Sequence, residues 1–261
     1  MWSYLLYLAV GTLGGIIIGA LGSGSSLIIL PALSLIFPLL FPANIALKMA
    51  VATCLATLII GTISGSLSYL KAKHCHYQLV KLCFPGVIIG AIIAPFTAHF
   101  LSVHLLKWYI GLFLIIIGIY KLIRSYYHQQ VIIHPLQPFY IIIMSIISAW
   151  LSGMGGVALG IILIPFLSRY ADHKTVIGTN LILAVPYAII SSIGYITSGL
   201  SLQHSIPHTV GYIYVPAFIV IAIAMFIFPP LGLKLVRKIS VKRMQIIFYT
   251  YLLLIGVIIL I

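Results

Sequence analysis

Two clumps of small residues constrain this chain more than anything else in it. The first is Leu21–Pro31, reading L-G-S-G-S-S-L-I-I-L-P, and the second is Gly155–Pro165, reading G-G-V-A-L-G-I-I-L-I-P. Each lies between two apolar runs and is followed by a proline about one turn into the second run. In water such a clump would be an ordinary surface loop. Here the mean hydropathy is +1.27 and only 6% of residues are charged, which places the chain among polytopic membrane proteins. Backbone that stops being helical at membrane depth survives only where protein or a wet cavity satisfies its polar groups. Its recurrence in both halves points to a binding site in a transporter built from repeats.

Apolar segments run over 4–21, 27–41, 49–70, 82–101 and 108–123, then 138–151, 161–168, 176–199, 210–230 and 244–261. A full helical span needs about 20 residues, so 27–41 and 161–168, the segments after the clumps, fall short. Aligning Pro31 with Pro165 pairs Gly22 with Gly156 and Ser26 with Gly160. Further on, A-V-A-T-C-L (50–55) matches V-I-G-T-N-L (176–181), pairing Thr53 with Thr179 and Cys54 with Asn180. We read an internal duplication within one membrane domain, residues 1–261, with repeats of about 1–125 and 136–261.

Lys and Arg set the orientation. If each first pair of segments returns to the side it came from, twelve of the fourteen fall in loops on one side, leaving only Lys48 and Lys107 on the other. The positive-inside rule makes the crowded side cytoplasmic and puts both termini outside. Each half then crosses an odd number of times, so the second is upside down relative to the first. The expected fold is an all-α polytopic membrane protein of two inverted repeats. Each repeat is a short, re-entrant helical hairpin plus three transmembrane helices, giving eight to ten membrane segments. The N-terminus has no basic residue before its apolar run, so it is read as mature protein rather than a cleaved signal.

The charge inventory excludes whole function classes. Against 14 Lys and Arg stands a single acid, Asp172. Cation carriers and carboxylate proton relays need an acid in the membrane, and no apolar segment contains one. A positive field favours small anionic cargo, and anionic lipid in the bilayer. We expect no cofactor, no metal site, no nucleic acid and no catalysis: no nucleophile–base set is visible. Cys54, Cys75 and Cys83 have no metal or disulfide spacing. His74 and His76 lack a ligand set around them, and His204 and His208 read as solvated. Asp172 reads as a helix-end or loop charge. Trp108, Tyr109, Tyr126 and Tyr127 read as aromatic-belt anchors, and Pro31, Pro95, Pro165 and Pro186 as kinks.

The candidate site is Gly22, Gly24, Ser25, Ser26, Thr53 and Cys54 in the first half, with Gly156, Gly160, Thr179 and Asn180 in the second. A helix beginning near Leu27 has N–H groups without intrahelical partners, Ser25 or Ser26 is placed to cap it, and its dipole adds partial positive charge. Glycine lets an oxyanion approach that backbone. The alternative is that the glycines only permit close helix packing, and that Thr53 and Thr179 bond back to their own helices.

Several of these motifs resemble a known family. The clump-then-proline element, A-T-C-L and G-T-N-L, and I-S-G-S-L-S-Y-L-K (63–71) followed by F-P-G-V-I-I-G-A (84–91) are similar to the sulfite exporter TauE/SafE family. That resemblance implies an inner-membrane permease for sulfite, sulfonates or related organosulfur anions. Where the family tends to G-x-G-G-G before each proline, this chain reads G-S-G-S-S (22–26) and G-V-A-L-G (156–160). The expected activity is secondary transport by alternating access, the alternative a passive anion channel of the same fold.

Overall fold

The structure, a computed structural model, describes residues 2–21, 24–126, 135–200, 206–228, 231 and 241–260. Each apolar run contains a helix. The first half gives α1 (Trp2–Leu21), α2 (Ser26–Ile36) with a 3-10 turn at Phe37–Leu39, α3 (Ala43–Lys71), α4 (Tyr77–Phe100) and α5 (Val103–Tyr126). The second gives α6 (Pro138–Met154), α7 (Gly160–Leu167), α8 (His173–Ser198), α9 (Val215–Ile227) and α10 (Val241–Leu260).

Among the described residues, four helices, α3, α4, α5 and α8, contain stretches long and apolar enough to cross a membrane. The eleven residues of α2 and eight of α7 rise only about 16 and 12 Å at 1.5 Å per residue, against a hydrocarbon core of about 30 Å. Pro31 is the sixth residue of α2 and Pro165 the sixth of α7, while Pro95 lies within α4 and Pro186 within α8.

Two glycines make the breaks possible. Gly24 has φ +98° and Gly156 φ +66°, a region where an L side chain is strained. A different use of glycine joins α4 to α6. A Cβ at Gly86 would stand 2.5 Å from the Ile142 carbonyl oxygen, and one at Gly90 would collide with that of Ile146. Small residues thus bring the two backbones into direct contact, the usual source of helix adhesion where lipid removes the hydrophobic drive.

The packing repeats when the halves are exchanged. α4 lies on α6 and α9 on α1; α8 lies on α4 and α3 on α9; α2 lies on α3 and α7 on α8. The α3–α8 and α5–α10 pairs join equivalent helices, while the lighter contacts of α3 with α5 and of α2 with α10 are not matched to the same extent across the halves. Large apolar side chains such as Leu112, Ile116 and Ile123 on α5 and Ile219, Ile223 and Phe226 on α9 stay exposed. Such faces are the mark of helices that meet lipid.

The all-α expectation needs one correction. Thr209–Val210 and Ile213–Tyr214 form a two-stranded antiparallel hairpin, with Gly211 at φ +58° in its turn. The stretch 210–230 therefore enters as a hairpin before α9 begins at Val215. Two residues per strand are too few to leave a periodic signal.

Candidate anion site at the two helix breaks

The two clumps meet. The N–H of Ala158, in the second break, donates to the Ser26 hydroxyl at the start of α2 (2.9 Å) across 132 positions of sequence. Gly156 packs against Val51 of α3 and Leu30 of α2, where a Cβ would find backbone at 3.0 Å. Ser25 and Ser26 are buried, as are Thr53, Cys54, Thr179 and Asn180. Gly22 lies outside the described residues.

Serine does not cap α2 in the way its position suggests. Ser25 stands at the N-cap with helical angles and makes no side-chain cap bond. The Ser26 hydroxyl is taken by the other break instead. The local backbone closes itself with Leu27 N–H to the Gly24 carbonyl and with Ile28 and Ile29 N–H to that of Ser25, all at 3.0 Å.

The positions paired by sequence make equivalent contacts. Cys54 Sγ donates to the Ser26 carbonyl at 3.9 Å. Its counterpart Asn180 faces Gly160, the counterpart of Ser26, so closely that a Cβ there would stand 2.5 Å from Asn180 Nδ2. Among the described residues, nothing accepts from the N–H groups of Leu159 and Gly160 at the start of α7. Asn180 Oδ1 is likewise buried without a partner. An N-terminus with free donors and a buried amide beside it is equipped to take an anion.

Thr53 and Thr179 also make bonds across the halves. Each accepts a backbone N–H from the other half, Thr53 Oγ1 from Tyr214 at 3.1 Å and Thr179 Oγ1 from His76 at 3.0 Å. Tyr214 is the N-cap of α9 and His76 the N-cap of α4. The preceding turns match too: His74 N–H donates to the Tyr69 carbonyl and Tyr212 N–H to that of Tyr195.

Three tyrosine hydroxyls bond carbonyls in and just before the second break, and sequence reasoning missed them. Tyr109 Oη donates to the Leu151 carbonyl (2.7 Å), Tyr195 Oη to that of Gly153 (3.1 Å) and Tyr187 Oη to that of Val157 (2.7 Å). Tyr109 is thus not the belt anchor its sequence position implied. Its hydroxyl is a second donor to a carbonyl near the end of α6 that also accepts from the Gly155 N–H at 3.1 Å. The readable signal was the stripe Asn180, Tyr187, Ser191 and Tyr195, which recurs at helical spacing down one face of α8. Ser148 and Ser152 of α6 are also buried, with hydroxyls lacking a partner among the described residues.

The other singled-out residues lie apart. Trp108 is exposed and donates to His104 Nε2 (3.1 Å). His76 Nδ1 accepts from Leu79 N–H as the cap of α4. Asp172 caps α8 by accepting from Thr175 N–H at 3.2 Å, and hydrogen bonds from the Thr175 hydroxyl and N–H hold its carboxyl below the usual carboxylate range. His208 is exposed and lines a cavity of about 460 Å³ with Tyr4, Thr209 and Pro216. His204 and Tyr127 lie outside the described residues.

Comparison with known proteins agrees over almost the full length. The chain is 25% identical over 255 residues to a probable membrane transporter protein of Haemophilus influenzae, covering 97% of this chain and 96% of that one. It is 28% identical over 263 residues to a probable membrane transporter protein of Methanocaldococcus jannaschii, covering 98% and 96%. No solved structure matches it. The profile of the sulfite exporter TauE/SafE family matches residues 7–259. With that match the apolar helices are those of a multi-pass membrane transporter, and the chain is a member of the sulfite exporter TauE/SafE family.

Proposed function

We propose that this protein is a secondary transporter of a small anion, sulfite or an organosulfonate, working by alternating access in the cell's inner membrane. The observation that carries the reading is the bond from Ala158 N–H to the Ser26 hydroxyl. It brings two helix starts together in a buried setting, so their dipoles add at one point. An anion held there needs no lysine.

The reciprocal bonds from Tyr214 to Thr53 and from His76 to Thr179 support two equivalent halves that grip each other at two places, and the distribution of Lys and Arg favours an inverted relation between them. A site whose side chains are almost wholly buried is reached only if one grip loosens at a time. An inside-negative potential drives anions outward by about 2.3 kcal/mol per charge per 100 mV. Export therefore runs without a coupling ion, consistent with a chain whose one acid caps a helix outside the apolar segments.

Labelled sulfite in proteoliposomes tests this. The wild-type protein should give saturable flux. Gly160→Val should abolish it while the protein stays monodisperse in detergent, because the new side chain displaces the Asn180 amide. Undiminished flux in the variant would remove the site, and single-channel currents in the wild type would replace the carrier with a pore.

A further inference from the structure

We infer that the cargo is a singly charged oxyanion carrying one hydrogen-bond donor of its own, and that Asn180 Oδ1 is the acceptor that reads this donor. The inference rests on the transport reading above and narrows it to a class of substrate.

The charge count comes first. Each helix N-terminus supplies about half a positive charge, so α2 and α7 together offset about one negative charge. Lys, Arg and His are absent from both breaks and their short helices (21–36 and 151–168, up to Arg169) and from the stretches of α3 and α8 packed on them (50–58 and 176–188). A doubly charged anion would bring a second charge into a buried site with nothing to compensate it.

The chemistry of the amide supplies the rest. Asn180 is 3% exposed, its Nδ2 lies against Gly160, and its Oδ1 has no partner among the described residues. An amide presents donors at one end and an acceptor at the other. The free N–H groups of Leu159 and Gly160 and the Asn180 NH₂ suit the cargo's oxyanion. Oδ1 repels a bare oxyanion and is satisfied only by an O–H or N–H. The partnerless hydroxyls of Ser148 and Ser152 do not discriminate in this way, since a hydroxyl rotates to donate or accept. A hydrogen-oxyanion or a hydroxylated sulfonate meets both demands at once. A site built to bond a substrate O–H rejects the analogue that lacks it far more strongly than an apolar pocket rejects a missing methylene.

The test compares two probes that differ by one hydroxyl and are singly charged at every working pH: isethionate (2-hydroxyethanesulfonate) and ethanesulfonate. In wild-type proteoliposomes isethionate should move at least about tenfold faster. Asn180→Leu should bring the ratio close to one, as should Asn180→Cys, which installs the residue found at the matching position of the first half. In a parallel arm, wild-type sulfite flux at fixed total concentration should rise as pH falls through the second ionisation of sulfurous acid. Isethionate flux serves as the control for pH effects on the protein itself. Equal wild-type fluxes of the two sulfonates, a ratio that survives both substitutions, or sulfite flux indifferent to pH would overturn the inference and leave the transporter standing. Failure of sulfite and both sulfonates to move at all would bring down the transport reading, and this inference with it.

Discussion

Single residues show how the two halves differ around one geometry. In the first half the polar atom sits on the break, as the Ser26 hydroxyl, and the neighbouring helix offers the modest thiol of Cys54. In the second the break carries Gly160, and the neighbouring helix offers the longer amide of Asn180. The missing side chain at 160 makes room for the larger one at 180, so close packing is kept while polarity moves from one element to the next. Both sets were readable from the paired motifs, but which partner each would face was not, because that depends on how the halves dock. Asp172 presents a different case, since its cap position follows from local sequence alone. Asp172→Ala should destabilise the protein by about 1 kcal/mol or less, given its exposure to solvent. Its folded carboxyl is held below the ordinary value, so its stabilisation is complete above the unfolded pKa and fades as pH drops through the folded one. The difference in Tm between wild type and Asp172→Ala should therefore shrink below about pH 4. Asp172→Asn should keep the cap without the pH dependence. An undiminished gap at pH 3 would show that the carboxylate charge plays no part.

At the scale of elements, the breaks were legible because glycine, serine and proline interrupt an otherwise continuous apolar pattern, and nothing else in the chain does so twice. The inward-facing tyrosines were not. A tyrosine near a helix end looks the same in sequence whether its hydroxyl reaches the membrane interface or a broken carbonyl, and tertiary packing decides. Thr53 and Thr179 fall between these cases: their pairing was visible, but their partners, the caps of α9 and α4, were set by turns with no periodicity of their own. Each threonine ties one half to the other. Thr53→Val leaves the Tyr214 N–H without its acceptor and Thr179→Val does the same to that of His76, and losing one such bond costs about 1 kcal/mol. That shifts an opening equilibrium about fivefold, since 1.4 kcal/mol is tenfold. Cys54 is a native reporter, buried beside the first break. With Cys75 and Cys83 replaced by serine, a membrane-impermeant thiol reagent should reach Cys54 faster from the outside in Thr53→Val and faster from the inside in Thr179→Val. Faster labelling from the same face in both variants would mean that the two bonds do not guard opposite ends.

For the whole molecule the question is whether the second half is an upside-down copy. The sequence argues it through the distribution of Lys and Arg, which leaves only Lys48 and Lys107 on the predicted outer side. Packing that survives exchange of the halves supports two copies related by a two-fold axis. Packing alone leaves the direction of that axis free. An axis in the membrane plane sends the α3–α4 turn and the α8–α9 hairpin to opposite faces, and an axis along the membrane normal puts both on one face. The function depends on the outcome: inverted halves can trade conformations and so present one site to either side, which parallel halves cannot do by the same exchange. Ala72 and Pro207, one in each connection, are both exposed and make good reporters. Cys75 should first be changed to serine, although burial already pushes its thiol pKa up and slows its reaction. In intact spheroplasts an impermeant maleimide should label Pro207→Cys at once and Ala72→Cys only after the membrane is opened. If both label before opening, the two helix breaks enter from one side, and the shared site loses the geometry that would let it alternate.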